Sequence, residues 1–216
     1  QLDEEYTLDL HAAELETTLS RAKRAMAEIA RGDHAKVSQM VYPLMQALDI
    51  EYLNVDLAVG GLDQRKVHML ARETLPELEH DVRPALHTPI IADLDSGVGK
   101  MASSSGVTIS MEDSEDDIET KINDAYCPPT ADPDPDGDGN ERENPVLQLF
   151  RYHVFPRVET VVVERPEEYG GDLEYDDYET LEADLEAGEL HPMDAKSALA
   201  AELNALIEPG RQQLNA

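Results

Sequence analysis

Residues 54–70 read NVDLAVGGLDQRKVHML, and this stretch indicates the fold class more directly than any other part of the chain. Apolar and polar residues alternate over Asn54–Val59, which is the pattern of a β-strand. Gly60 and Gly61 then predict a tight turn, and helical periodicity continues over Asp63–Leu75. A strand, a glycine turn and a helix together form half of a parallel βαβ unit.

The neighbouring segments extend this pattern into a larger α/β region. Helices are predicted at about Leu8–Arg31, which ends at Gly32, and at about Lys36–Leu48. The apolar stretch Thr88–Ala92 predicts a second strand. Strands that alternate with helices favour a parallel sheet with flanking helices, so residues 1–112 are predicted to form an α/β domain.

The composition changes after about Met111, and residues 113–216 are predicted to form a second, mostly helical domain. Within this domain, the acidic segment 131–143 is rich in proline and glycine and is predicted to be a solvated loop. The predicted elements are a helix with a capping signature at Ser114–Ala125, further helices at Pro145–Phe155, Tyr175–Ala187 and Met193–Leu206, and a short strand at Thr160–Val163.

The chain is strongly acidic, with 47 Asp and Glu against 17 Lys and Arg and a net charge of −30. Repulsion at this charge density destabilises a compact state unless salt screens it, which predicts a cytosol of extreme salt concentration. Composition alone excludes an ordinary nucleic-acid binder. No apolar run is long enough for a membrane span, and the acidic start is unlike a signal peptide. We therefore expect a cytoplasmic protein with no membrane partner.

Three polar side chains share one face of the second predicted helix. Tyr42, Gln46 and Asp49 are spaced at i, i+4 and i+7, and Gln64 lies in the first turn after the two glycines. Ligands of open α/β sheets bind where strands end and helices begin. A carboxylate, two amides and a phenol in this place could hold a small zwitterion with a hydroxyl group. From the spacing alone, ordinary exposed helix residues remain the favoured alternative.

Two loops carry further candidate chemistry. The stretch GKMASSSG, residues 99–106, places Lys100 among small hydroxyl residues that could contact phosphate, although it lacks the order of a P-loop and could equally be a linker. The stretch DPDPDGDGNERE, residues 132–143, fits a calcium-loop pattern, but its prolines and the lack of an entering helix oppose that interpretation. A calcium-binding module therefore remains a weak alternative. The seven His show no metal-ligand spacing, so no protein-bound metal is predicted.

Several motifs, in order along nearly the whole chain, resemble one family. They are YPLMQ with Asp49 (residues 42–49), VDLAVGGLDQRKVHMLARE (55–73), KMASS (100–104), AYCP (125–128), RPEEYGGD (165–172) and ELHPMDAK (189–196). These motifs resemble the archaeal and eukaryotic type of tyrosyl-tRNA synthetase, and KMASS is similar to the class I signature Lys-Met-Ser-Ser-Ser. Because the composition is so acidic, we expect a halophilic member of this family.

The resemblance implies a fold, a reaction and its substrates. The fold is the second half of a class I Rossmann-type parallel sheet with flanking helices, followed by a mostly α-helical anticodon-binding domain. The reaction is the ATP-dependent activation of tyrosine and its transfer to tRNA(Tyr), with Mg²⁺, by a homodimeric enzyme. Tyr42, Gln46 and Gln64 would hold the tyrosine ammonium group, Asp49 would accept the phenol hydroxyl, and Lys100 and Met101, with Ser103 and Ser104, would contact ATP.

The resemblance also implies two surfaces that bind tRNA, which overrides the exclusion based on composition. Arg24, Arg65 and Lys66 would approach the acceptor end. Tyr169 would stack on the first anticodon base, and Asp194 would bind its guanine edge. The other expected anticodon residues are Cys127, Pro128, His191, Met193 and Lys196.

This sequence departs from the family pattern in two places. Ala102 replaces the first serine of the loop signature, and Ser105 stands where the family often has lysine, so one loop hydrogen bond is in doubt. The sequence also contains no His-x-Gly-His, the second ATP-binding signature of the family. We therefore expect a C-terminal portion of the enzyme that is inactive by itself. The alternative is a non-catalytic relative that binds tRNA or protein.

Overall fold

The structure is a computed structural model, and it describes residues 3–26, 36–102, 107–129 and 141–214 of the 216-residue chain. The chain forms two compact units, which we call the first unit (Gln1–Ile90) and the second unit (Ile91–Ala216). The division of the chain into functional domains at residues 112 and 113 stays a prediction.

The first unit contains four helices and two short strands among its described residues. The single helix predicted at Leu8–Arg31 is wrong, because the backbone is extended at Thr17 and a new helix follows. The hydroxyl of Thr18 accepts a hydrogen bond from the Arg21 amide, which caps the second helix. The elements are α1 (Glu4–Glu16), α2 (Leu19–Met26), α3 (Val37–Tyr52), β1 (Ala58–Gly61), a 3₁₀ turn (Leu62–Gln64), α4 (Arg65–Glu77) and β2 (Ala85–Thr88).

Strands β1 and β2 form the predicted parallel pair, in register from Ala58 opposite Ala85 to Gly61 opposite Thr88. Strand β1 begins later than predicted, because Asn54 adopts a left-handed conformation (φ 49°) at the turn after α3. The strand predicted at Thr88–Ala92 is wrong in position, since β2 ends where that segment begins. Pro89 follows β2 at once, and proline cannot donate a hydrogen bond to a continuing ladder.

Small side chains dominate the interior of the first unit. One buried cluster joins Tyr6 of α1 to the Ala47 and Leu48 of α3 and the Ala71 and Leu75 of α4. A second cluster packs alanines of α1 and α2 against leucines of α3 and α4. These clusters allow α3 and α4 to approach closely, and both helices carry predicted site residues.

The second unit is mostly helical among its described residues. Ser114 and Asp117 form the predicted capping box, and the helix predicted at Tyr175–Ala187 starts later because its first residue belongs to a strand. Phe150, Ile118 and Leu199 are fully buried in one large apolar cluster. The elements are α5 (Glu115–Asp124), α6 (Pro145–Leu149) continued by a π-helix (Phe150–Val154), β3 (Val161–Val163) antiparallel to β4 (Leu173–Tyr175), α7 (Tyr178–Ala187) and α8 (Pro192–Leu214).

No helix in the described parts of the chain combines the length and the apolar character that a membrane span needs.

Candidate functional site

The polar residues predicted to bind a zwitterion meet between α3 and the start of α4. The side-chain amide of Gln46 donates a hydrogen bond of 2.9 Å to the amide oxygen of Gln64. A Cβ atom on Gly60 would lie only 3.1 Å from the Gln64 side chain, so glycine allows this close approach. Tyr42 lies one turn before Gln46 and is exposed. The arrangement places two side-chain amides in contact at the end of β1, with Tyr42 one turn away on the same helix.

Asp49 lies further along the same helix, and its carboxylate has a partner that the sequence analysis missed. The hydroxyl of Tyr6 lies 2.9 Å from Asp49 Oδ1 and 3.0 Å from the carbonyl oxygen of Met45. Burial raises the pKa of the Tyr6 phenol, and the hydrogen bond to Asp49 and its charge raise it further. Tyr6 therefore remains a hydrogen-bond donor over the whole physiological pH range.

A second phenol–carboxylate pair joins α1 and α3 about one turn further along each helix. The hydroxyl of Tyr52 donates to Asp9 Oδ2 over 2.7 Å, and His80 Nε2 lies 2.6 Å from the same oxygen. Burial raises the pKa of the Tyr52 phenol, and the hydrogen bond to Asp9 and the charge of that carboxylate raise it further. The rings of Tyr6 and Tyr52 pack edge to face with centroids 4.8 Å apart, which fixes both side chains.

The buried His68 of α4 contacts the partly exposed His87 of β2. Their ring nitrogens Nδ1 and Nε2 lie 2.9 Å apart. Burial lowers the pKa of His68, and the nearness of His87 lowers it further. In the described parts of the chain, no group of three or more His, Cys, Asp and Glu is arranged to hold a metal ion.

The cations predicted to meet the acceptor end of tRNA lie around one cavity of about 350 Å³, which we call the basic groove. Arg24 comes from α2, and Arg65 and Lys66 come from the first turn of α4. Arg21, which the sequence analysis did not select, joins them and forms an ion pair with Glu73. Four of the 17 Lys and Arg of an acidic chain therefore surround a single groove.

Only part of the predicted ATP loop falls within the described residues. Lys100 is exposed, and the amide of Met101 donates a hydrogen bond of 2.8 Å to the carbonyl of Ile91. Ser103 and Ser104 lie outside the described residues. Most of the calcium-loop pattern also lies outside them, and Glu143, its last residue, accepts a hydrogen bond from Gln148.

The predicted anticodon residues gather near the start of α8. His191 Nδ1 accepts a hydrogen bond from the amide of Met193, and the Asp194 amide donates to the carbonyl of His191. The ammonium of Lys196 is buried and donates to the carbonyl of Asn123. Three of these residues thus lie in the first turns of α8, directly after His191.

Cys127 and Tyr169 belong to segments that connect to the same region. Asn144 holds the Cys127–Pro128 segment through contacts to the Sγ atom and the Pro128 carbonyl. Burial raises the pKa of the Cys127 thiol, against smaller opposing effects of Asn144 and Lys196. Tyr169 is 67% exposed, so its ring is available for stacking. Arg165, another residue that the sequence analysis did not select, links this turn to the segment before α8 by donating to the carbonyls of Gly171 and Glu189.

The similarity of the chain to known proteins extends over nearly its whole length. The sequence profile of the tRNA synthetases class I (W and Y) matches residues 6–208. The chain therefore belongs to this family of tRNA synthetases, and its fold is the helix-rich class I fold with a small parallel sheet.

Individual relatives within this family are named tyrosine–tRNA ligases or tyrosyl-tRNA synthetases. The tyrosine–tRNA ligase of Halorubrum lacusprofundi is 73% identical over 99% of this chain and 65% of its own length. The tyrosine–tRNA ligase of Halobacterium salinarum is 67% identical over 99% of this chain and 64% of its own length. The crystal structure of the Archaeoglobus fulgidus tyrosyl-tRNA synthetase with L-tyrosine has 49% identity and a TM-score of 0.82, covering 99% of this chain and 64% of that one. This chain thus spans about 65% of the length of such relatives.

Proposed function

We propose that the chain contributes to a tyrosine–tRNA ligase, which activates tyrosine with ATP and transfers it to tRNA(Tyr). The observation that carries the proposal is the contact between Gln46 and Gln64, flanked on the same helix by Tyr42 and Asp49. Two relatives with 73% and 67% identity support the proposal, because both are named tyrosine–tRNA ligases.

The chemistry of these four residues suits tyrosine. An ammonium group donates hydrogen bonds only, and the oxygens of Tyr42, Gln46 and Gln64 can accept them. A phenol hydroxyl donates well to a carboxylate, which Asp49 supplies. In the proposed complex, the amino end of the substrate therefore lies at Gln46 and Gln64, and its phenol lies at Asp49.

We further propose that Lys100 acts at the ATP phosphates, together with Met101, Ser103 and Ser104. A lysine ammonium stabilises the negative charge that develops on the phosphates when the adenylate forms. Mg²⁺ bound to the phosphates would share this role. Because Ala102 lacks a hydroxyl, this loop has one hydrogen-bonding group fewer than the family signature.

Two surfaces are proposed to bind tRNA(Tyr) in the homodimeric, cytoplasmic enzyme. The basic groove suits the acceptor end, because its clustered cations attract phosphates. Tyr169 and Asp194 suit the first anticodon base, because an exposed ring can stack and a carboxylate accepts hydrogen bonds from guanine. On this basis residues 1–112 belong to the catalytic domain and residues 113–216 to the anticodon-binding domain.

The sheet of the first unit supports the proposal that it forms half of a larger Rossmann-type sheet. Val59 and Leu86 are directly opposed in the register of β1 and β2, and they are 61% and 54% exposed. Parallel sheets normally have both faces covered. An exposed apolar pair on a parallel sheet of two strands suits a surface that the rest of a catalytic domain covers.

Tyrosine-dependent pyrophosphate exchange in molar KCl tests the proposal. We expect no exchange by the chain alone, because one ATP-binding signature is absent from it. Joined to the part of the Halorubrum lacusprofundi relative that it does not match, the chain should catalyse exchange with tyrosine and not with tryptophan. Gln64→Ala in this joined protein should raise the KM for tyrosine.

The outcomes separate the two candidate functions. Exchange with tryptophan in place of tyrosine would contradict the proposed substrate. Binding of tRNA without any exchange by the joined protein would favour the non-catalytic relative. Exchange by the chain alone would show that the missing signature is not required.

A further inference from the structure

Tyr6 occupies a distinctive place in the first unit. Its side chain is only 4% exposed, it packs within the cluster formed with α3 and α4, and its hydroxyl reaches Asp49 Oδ1. Asp49 itself is exposed, and the described residues provide its carboxylate with no other hydrogen bond. The buried phenol of Tyr6 thus donates a hydrogen bond to the exposed carboxylate of Asp49.

We infer that Tyr6 is a positioning residue for amino-acid selection, which holds Asp49 by one carboxylate oxygen so that the other oxygen faces the phenol of the substrate. This inference rests on the proposed function. Helix α1 carries none of the predicted tyrosine-binding residues. The inference gives this helix a part in the choice of substrate.

The bond from Tyr6 leaves one oxygen of the Asp49 carboxylate for the substrate. A carboxylate has two oxygens with about four acceptor positions, so a bond from Tyr6 to Oδ1 leaves Oδ2 available. The bond is charge-assisted and therefore stronger than the competing contact of the same hydroxyl with the Met45 carbonyl. An exposed Asp without this bond would rotate among several rotamers.

The same bond bears on discrimination between tyrosine and phenylalanine. A site that binds a substrate hydroxyl rejects the analogue lacking it, because a polar group of the site is then left unpaired. Rejection of phenylalanine therefore requires that Asp49 cannot simply turn away to water. The bond from Tyr6 prevents this rotation, since the Tyr6 ring is itself fixed against Tyr52.

The structure supplies a matched control. Tyr52 donates to Asp9 in the same way that Tyr6 donates to Asp49, and both bonds join α1 to α3. Asp9 has no place in the proposed tyrosine site. Tyr6→Phe and Tyr52→Phe therefore delete the same hydroxyl from the same pair of helices, and only the first deletion releases Asp49.

The experiment measures binding of tyrosine and of phenylalanine by calorimetry in molar KCl, together with the melting temperature of each variant. It uses the joined protein, in which the unmatched part of the Halorubrum lacusprofundi relative completes the chain. Tyr6→Phe should weaken tyrosine binding about tenfold and leave phenylalanine binding within about twofold, so that the preference for tyrosine falls about tenfold. Tyr52→Phe should lower the melting temperature to a similar degree and leave the preference within about twofold.

Each outcome has one interpretation. An unchanged preference in Tyr6→Phe would overturn the inference and leave the proposed tyrosine site standing. An equal loss of preference in both variants would also overturn it, because it would indicate a general loosening of α1 and α3. No preference for tyrosine in the unmutated joined protein would contradict the proposed site itself, and with it the inference.

Discussion

The two units cover their small sheets to different degrees. In the second unit, Val161 and Val163 of β3 are fully buried, and β3 packs against α8. In the first unit, Val59 and Leu86 lie exposed on the paired strands β1 and β2. Of the sixteen large hydrophobic side chains exposed among the described residues, eleven belong to the first unit. The second unit thus buries its own apolar face, whereas the first unit presents apolar surface suited to further structure.

The two units also differ in charge. Residues 1–90 carry nine Lys and Arg against sixteen Asp and Glu, and residues 91–216 carry eight against thirty-one. The net charge of −30 is therefore divided into −7 and −23. The unit with the larger apolar core is the unit with the stronger self-repulsion, and its folded state depends more on screening by salt.

The largest expected effect is a selective loss of structure in the second unit at low salt. Lowering KCl from molar concentration to about 0.1 M lengthens the Debye length from about 3 to 10 Å, so repulsion extends between neighbouring acidic groups. Amide hydrogen exchange, measured across a KCl series, should show protection in α5 and α8 falling before protection in α3 and α4.

Two results would contradict this expectation. A melting temperature that does not depend on KCl would mean that the acidic surface is not an adaptation to screening. Earlier loss of protection in α3 and α4 would mean that the exposed apolar surface of the first unit limits stability more than charge does.

Much of the fold could be predicted from the sequence, because it is encoded in short-range signals. The capping box at Ser114 depends on neighbouring residues, and this prediction is confirmed. The tight turn predicted at Gly60 and Gly61 is wrong in position, because both glycines belong to β1 and the turn follows at Leu62–Gln64. Periodicity alone could not reveal the break at Thr17, because apolar spacing continues through it. Similarly, the position of β2 depends on Pro89, which removes one backbone donor and which an apolar pattern does not register.

The candidate site could be predicted only where its residues share an element or a motif. The resemblance grouped Gln46 with Gln64, and the structure places their side chains in contact. The bond between Tyr6 and Asp49 joins residues 43 positions apart, and no local sequence pattern predicts it. The partnership of Arg21 with the basic groove likewise depends on how α2 packs near α4.

The second prediction concerns the two proposed tRNA surfaces, which differ in their physical basis. The basic groove of the first unit acts through charge, so Arg65→Ala should reduce the dependence of log K on log [KCl] by about one unit. Tyr169→Ala in the second unit should weaken binding by about 1–3 kcal/mol, because a stacked base is lost, without changing that slope. Titrations of tRNA(Tyr) over a KCl range that keeps both units folded would measure both quantities.

Asp194→Ala provides the control for the anticodon surface. This variant should remove the preference for guanine over adenine at the first anticodon position, because an ionised carboxylate accepts from guanine and repels the bare N1 of adenine. Anticodon hairpins that differ at this base would show it. Changes within about 0.5 kcal/mol for both Tyr169→Ala and Asp194→Ala would instead identify them as ordinary surface residues.

The smallest expected effect compares one histidine in each unit. Burial, aided by His87, lowers the pKa of His68, and burial, aided by Arg157, lowers the pKa of His153. In each case the unfolded chain binds a proton near the ordinary value of about 6.5 before the folded chain does, so stability is present above that pH and is lost as pH falls below it. His68 is buried, whereas His153 is only partly buried and solvent screens it more, so the loss should come mainly from the first unit. We expect urea unfolding at about pH 7.5 and pH 5.5 to give the free energy of unfolding that is lost on acidification, which we call the acid loss. The acid loss should be smaller in His68→Gln than in the parent chain, whereas His153→Gln should resemble the parent. If His153→Gln reduced the acid loss as much as His68→Gln does, burial would not be what distinguishes the two histidines.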